Sequence, residues 1–476
     1  MTVTVAPRAL RGLGALALVA LLAAAWWSLG GPAADRIAGD RASLLALLKT
    51  GQYERLELHL AKLHAGYEHG EGGEAELENA YAAFASADPA LQPRLDAWLD
   101  RLPRSFAALI ASGEYYRHLA QISRRNAGQT AEDGAPAQAY LARARRDLEA
   151  AIERAPGLGI GYAGLIAVAM AENAADRADR WFALGLEADP NSAALRRAYL
   201  LSLRPWQRPD EDAVSLMAKL RTLAALHGVS QHAKDLAALR GFDAYVTAEL
   251  LRRQRRHDQA ARYYRDALAE GRDWLYLRGA GMNALQSAEA VAAIGYFSEA
   301  LASRPQDPAL LDWRAHALLS LGDDEAALAD WRLALAVDPA NPDILYGYSQ
   351  ALRELGEAEL AAQVIDAAPD LAQNNPRLRS LRGAILLADL NRPYDAVAEF
   401  RSAVTLDPQA GESWRAFAEA LYLANDCEGA ARAIVTYQDL CADGSTCTDG
   451  DRTWADRTLR ETRDPDLCPV YGILGP

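Results

Sequence analysis

Lysine is nearly absent from this chain. Only Lys49, Lys62, Lys219 and Lys234 occur among 476 residues, and the other basic side chains are arginine. With abundant alanine, that bias is a codon signature of a GC-rich bacterial genome, not of a function. Net positive charge is missing as well. The formal charge is −14 and the pI about 5.2, which argues against nucleic-acid binding. Cysteine is missing before Cys427. No GxSxG, HExxH or Walker loop occurs, and no carboxylate pair has a clear catalytic context. The sequence therefore offers no catalytic residue, no cofactor site and no metal site, and the expectation is a protein that is not an enzyme.

Charge is also missing from one early stretch. Arg8 and Arg11 precede an uncharged run from Gly12 to Ala34. At roughly 1.5 Å per residue such a helix reaches about 35 Å, enough for a hydrocarbon core of about 30 Å. The two arginines favour a cytoplasmic N-terminus, and Trp26 and Trp27 suit the far interface. The expectation is one transmembrane anchor over 12–34 in a bacterial inner membrane, with 1–11 cytoplasmic and the bulk periplasmic. A cleaved signal peptide, ending near Ala23-Ala24-Ala25, is the rival reading.

All four cysteines, Cys427, Cys441, Cys447 and Cys468, lie in the last fifty residues. An even number in an exported chain suggests disulfides. If Cys427 and Cys441 share a helix they stand about 21 Å apart, beyond disulfide reach. Cys441–Cys447 with Cys427–Cys468 is the favoured pairing, and four reduced thiols are the alternative.

What the chain does contain is a period. Alanine recurs at Ala293, Ala327, Ala361, Ala396 and Ala430, and seven residues on at Ala300, Ala334, Ala368 and Ala403. A bulky series runs between them: Phe297, Trp331, Ile365, Phe400 and Ile434. A small series precedes them: Gly281, Ala315, Ser349, Ala384 and Ala418. Small residues where two helices cross let the backbones approach, and the bulky residue fills the adjoining hole. One such pair cannot bury its apolar face alone, but stacked neighbours can.

The order small–Gly–Ala–aromatic–Ala–Pro in LLDWRAHALLSLGDDEAALADWRLALAVDP resembles the tetratricopeptide repeat family. The resemblance covers 241–440 and implies an all-α solenoid of stacked helix-turn-helix units, preceded by the one transmembrane helix. The unit near 342–376 lacks its closing proline on schedule, and Tyr437 replaces the second alanine of the last unit. Residues 41–228 resemble domain-of-unknown-function family 4034, through Leu95-Asp96-Ala97-Trp98, Pro103, Gly113, Tyr115, Tyr116 and Pro205-Trp206. Residues 441–476 form a cysteine-containing tail expected to cap the array.

Several patterns invite chemistry. Gly159-Ile160-Gly161-Tyr162-Ala163-Gly164 is a formal dinucleotide loop but lacks a preceding strand. His59, His64 and His69, spaced by five, drift around a helix instead of sharing a face. Asp443, Asp449 and Asp451 fail the spacing of a calcium loop. Tyr115 and Tyr116 with Arg124 and Arg125 could line a pocket.

The tetratricopeptide resemblance instead puts the working surface on the concave face. It implies a groove lined by Arg278, Met282, Asp312, His316, Tyr346, Gln350, Arg353, Arg415, Glu419 and Tyr422. That mixture suits a protein or peptide partner, with aromatics for area and arginines for carboxylates. An enzymatic or small-ligand domain in 41–228, with the repeats recruiting partners, is the alternative.

Overall fold

The computed structural model describes residues 40–126, 135–224, 233–443 and 447–464, and every regular element among them is helical. The expected anchor, 12–34, lies outside the described residues. Among the described residues no helix is long and apolar enough to cross a membrane.

Helical hairpins follow one another along the chain. Phe106–Asn126 pairs with Ala135–Arg154, and Gly159–Ala171 with Ala175–Ala188. Past Ala193–Ser202 and Ala213–Ala224 come Phe242–Arg253 with His257–Glu270, Trp274–Gln286 with Ala290–Ser303, and Pro308–Leu319 with Asp324–Val337. Then come Pro342–Glu354 with Ala358–Asp366, Pro376–Ala384 with Pro393–Leu406, and Gly411–Leu423 with Cys427–Asp443. One apolar core runs unbroken from Tyr162 to Ile385, so each hairpin closes its neighbour's open face.

The periodic residues make that stacking possible. Ala293, Ala327, Ala361, Ala396 and Ala430 are fully buried, as are Phe297, Trp331, Ile365 and Ile434. An added Cβ at Gly281 would sit 2.6 Å from the Phe297 ring, so the glycine is needed for the close approach. One member of the small series differs from expectation. In the unit starting at Pro376, Gly383 meets the Phe400 ring and Ala384 is only half-buried. The alanine spacing there is 35 instead of 34, and a π-helical segment, Ile385–Asp389, takes up the extra residue. The unit near 342–376 departs too. Its second helix stops at Asp366, ahead of Pro369, which leaves Ala368 outside it and half-buried.

First helices are started by a second periodic device. Asp273, Asp307, Asn341 and Asn375 each accept a backbone N–H from the first turn of the following helix, and in the last three a proline occupies the first helical position.

The tail holds a helix of its own. Asp449–Glu461 opens with a capping box between Thr448 and Asp451, and Trp454 packs edge-on against Tyr437 at 5.8 Å. Cys441 and Cys447 are joined, with their Cα atoms 5.4 Å apart. Cys427 and Cys441 share one helix, and Cys427 is also disulfide-bonded. Its expected partner, Cys468, lies outside the described residues.

Helices Arg41–Lys49, Tyr53–His69, Glu74–Ala82 and Leu91–Arg101 fold back along the array. They meet the loops where one hairpin passes to the next. Arg41 Nη2 donates to Asp307 at 3.0 Å, and Ser86 Oγ and the Ala87 N–H donate to Asp338 at 2.8 Å. Tyr67 donates to Asp189 at 2.9 Å, and Arg197 bridges Glu78 and Asp273. Glu74 accepts from Ser192 and from the N–H groups of Ala193 and Ala194, at the start of Ala193–Ser202. Val337 joins the apolar core of this N-terminal segment, although it is far away in sequence.

Candidate functional site

First helices of successive units lie side by side. Between Pro308–Leu319 and Pro342–Glu354 the approach is set by Gly347. A Cβ there would lie 3.0 Å from His316 Nε2 and 3.2 Å from Asp312 Oδ1. On the next contact, the Arg377 guanidinium covers the Tyr346 ring at 4.4 Å, and Arg353 Nε donates to Asp389 at 2.5 Å. Gln350 donates to Glu354 at 3.1 Å. His316, Tyr346, Gln350 and Arg353 are all partly exposed. With Arg377 and Asp389 they form a polar and aromatic ribbon across three units.

The remaining expected groove residues separate from this ribbon. Asp312 is turned into the interior and needs correction as a contact residue. It is 9% exposed, accepts the Trp331 indole N–H at 2.8 Å, and has His316 Nε2 at 3.6 Å. Burial raises its carboxyl above the ordinary range, although His316 and the indole donor oppose this. Arg415 is likewise occupied. It donates to Asp451 at 2.6 Å and lies 4.9 Å from the Trp454 ring centre, both on the capping helix. Glu419 is exposed and Tyr422 partly exposed in that last unit. Met282 is half-buried against the long core.

Arg278 belongs to a cluster that sequence reasoning missed. It lies 5.2 Å from the centre of the Trp274 ring, with Arg304 at 4.3 Å from the same ring. Arg253 and Arg204 flank Trp206 at 4.6 and 5.3 Å. Burial lowers the Arg204 pKa, Tyr245 and Glu249 oppose that, and Arg278 and Arg253 lower it further, so these groups are neighbours. Arg204 and Trp206 come from the connection after Ala193–Ser202, which no repeat register marks.

The other candidates resolve into packing. Tyr115 is buried and donates to the Asp88 carbonyl at 3.3 Å. Tyr116 stacks on Tyr140, with Arg143 over its ring. Arg124 is exposed, and the Arg125 side chain lies outside the described residues. Gly161 and Gly164 open a helix preceded by helix Ala135–Arg154, and their missing Cβ atoms leave room for Ile152 and Leu148. His64 is buried on Tyr81 at 2.8 Å, and burial lowers its pKa to about 4. His59 and His69 lie elsewhere on the helix surface. Among the described residues no three His, Cys, Asp or Glu side chains are grouped to hold a metal. Asp451 serves the capping box, and the Asp443 and Asp449 side chains lie outside the described residues.

Comparison with known proteins agrees with this architecture. The tetratricopeptide repeat family matches residues 332–385. No curated protein matches the chain. Among solved structures, a thermophilic tetratricopeptide protein of Thermus thermophilus is 20% identical, covering 38% of this chain and 98% of its own, with a TM-score of 0.33. YrrB, described as a tetratricopeptide protein with an unusual peptide-binding site, is 17% identical over 42% of this chain and 99% of its own, at 0.32. The pilF protein of Pseudomonas aeruginosa is 22% identical over 45% and 90%, at 0.35. Likeness of this extent carries no argument about partner or activity. The family match falls on hairpins of the stack described above, so residues 332–385 are similar to tetratricopeptide repeats within an all-α array of helical hairpins.

Proposed function

We propose that this protein is a non-enzymatic scaffold, anchored in a bacterial inner membrane by residues 12–34, whose repeats hold a protein partner on the periplasmic side. The observation that carries the binding half is the ribbon His316–Tyr346–Arg377–Arg353–Asp389, which spans three units and leaves its aromatic and charged groups partly open. Such a strip offers area through Tyr346 and charged donors through the Arg353 guanidinium, whose Nε is already held by Asp389. Residues 41–228, with their resemblance to family 4034, supply the membrane-proximal part in this reading.

A photo-reactive amino acid at Tyr346 is expected to capture a protein in intact cells. The double variant Tyr346→Ala, Arg353→Ala is expected to lose that partner and the cellular function. Full function in the double variant, with nothing captured, would overturn the groove. The anchor is tested by fusing alkaline phosphatase or a fluorescent protein after residue 40. Phosphatase activity is expected, and activity of the cytoplasmic reporter alone would overturn both the anchor and the export.

A further inference from the structure

The surface around Trp206 and Trp274 gathers several hydrogen-bond donors, three of them without an acceptor among the described residues. Arg278 Nε and the indole N–H groups of Trp206 and Trp274 are buried without an acceptor among the described residues. Arg204, Arg253 and Arg278 form no ion pair with a described carboxylate, whereas Arg304 is held by Asp307 and Arg252 by Glu249. Unmet buried donors cost free energy, and clustered cations raise that cost. Three arginines outside ion-pair distance of a described carboxylate thus gather beside two indole rings, with Glu249, already paired with Arg252, acting on Arg204 and Arg278 from farther away.

We infer that Arg204, Arg253 and Arg278, with Trp206 and Trp274, form a binding site for an acidic peptide segment of the partner. The inference rests on the scaffold reading but places a specific chemistry at a second position on the array. Each guanidinium lies against a ring. Arg204 Nε is held by the Leu201 carbonyl at 2.8 Å and Arg278 by the Tyr245 hydroxyl, so a planar carboxylate would be received by the N–H groups these bonds leave over and by Arg253, and the rings supply flat area for the peptide chain. The carboxylates of the segment would accept from the orphaned donors. A long polyanion such as nucleic acid would meet the acidic remainder of the molecule, so a short acidic stretch is the better match.

The test uses the full chain in neutral detergent and fluorescein-labelled hexaglutamate, read by anisotropy at low salt. Binding is expected to weaken about tenfold in Arg253→Gln, Arg278→Gln, and to weaken with rising salt. The control Arg180→Gln, Arg401→Gln removes the same charge at exposed positions elsewhere and is expected to bind as the native chain does. Hexaglutamine is expected not to bind. The variant Arg253→Lys, Arg278→Lys keeps the charge but loses the planar forks, so partial binding is expected and excludes loss through misfolding. Equal binding by native chain and glutamine variant, equal loss in the control, or equal binding of hexaglutamine would overturn the site. So would displacement of hexaglutamate by inorganic phosphate but not by acetate at equal concentration. Failure here, with capture at Tyr346 intact, would remove this site and leave the scaffold standing.

Discussion

Ser349 occupies a position whose counterparts in other units are Gly281, Ala315 and Ala418. It is fully buried, and its hydroxyl has no partner among the described residues. A small side chain is required there by the helix crossing, but a hydroxyl is not. Ser349→Ala is therefore expected to stabilise the fold by about 1 kcal/mol, read as a higher urea midpoint with an unchanged slope. A lower midpoint would show that the hydroxyl is satisfied in solution. Trp331 shows the opposite case. Its ring fills the hole between helices, and its N–H is answered by Asp312, so one residue meets both the packing and the polar requirement.

At the scale of elements, the N-terminal helix is fastened by a buried charge. Arg41 is 2% exposed, and burial lowers its pKa to about 10 while Asp307 resists the shift. Burial opposes ionisation of Asp307, but Arg41 and Arg304 outweigh it and hold that carboxyl well below its usual range. Removing one partner leaves the other buried with less compensation. Arg41→Ala is expected to weaken the docking of Arg41–Lys49 by about 3 kcal/mol, reduced to the extent that Arg304 still pairs with Asp307. Limited proteolysis near residue 103 is the measurement, with cleavage faster in the variant. Unchanged cleavage would mean that apolar packing alone holds the helix. The Asp307 contact was not legible in sequence, because 266 residues separate the pair. Its capping role was legible but missed. Asp273, Asp307, Asn341 and Asn375 recur in steps of 34, and the proline after the last three marks a helix start.

For the whole molecule, the docked N-terminal segment couples stability to pH. Burial, then the neighbouring Glu78 carboxylate, push the Glu74 pKa from 4.5 up to about 8, against its hydrogen bonds to Ser192 and Ala194. The folded state thus binds the proton more tightly than the unfolded chain. Its contribution is fully present below pH 4.5 and is lost as pH rises through about 8. The unfolding midpoint is expected to fall between those limits in the native chain. Glu74→Gln, which keeps an acceptor oxygen without the charge, is expected to flatten that fall. An identical slope in both proteins would assign the effect elsewhere.

The sequence by itself determined the hairpin and its stacking, and it favoured the Cys441–Cys447 bond that the structure contains. These depend on side-chain size, caps and proximity within a few dozen residues, so a periodic count reads them directly. Only the tertiary structure decided that Asp312 faces inward, that Arg415 is taken by the capping helix, and that Arg204, Arg253 and Arg278 converge. It also decided which loops receive the N-terminal helices. Those outcomes follow from how successive hairpins rotate around the array axis, and small rotations add up over many units into contacts that no local spacing encodes.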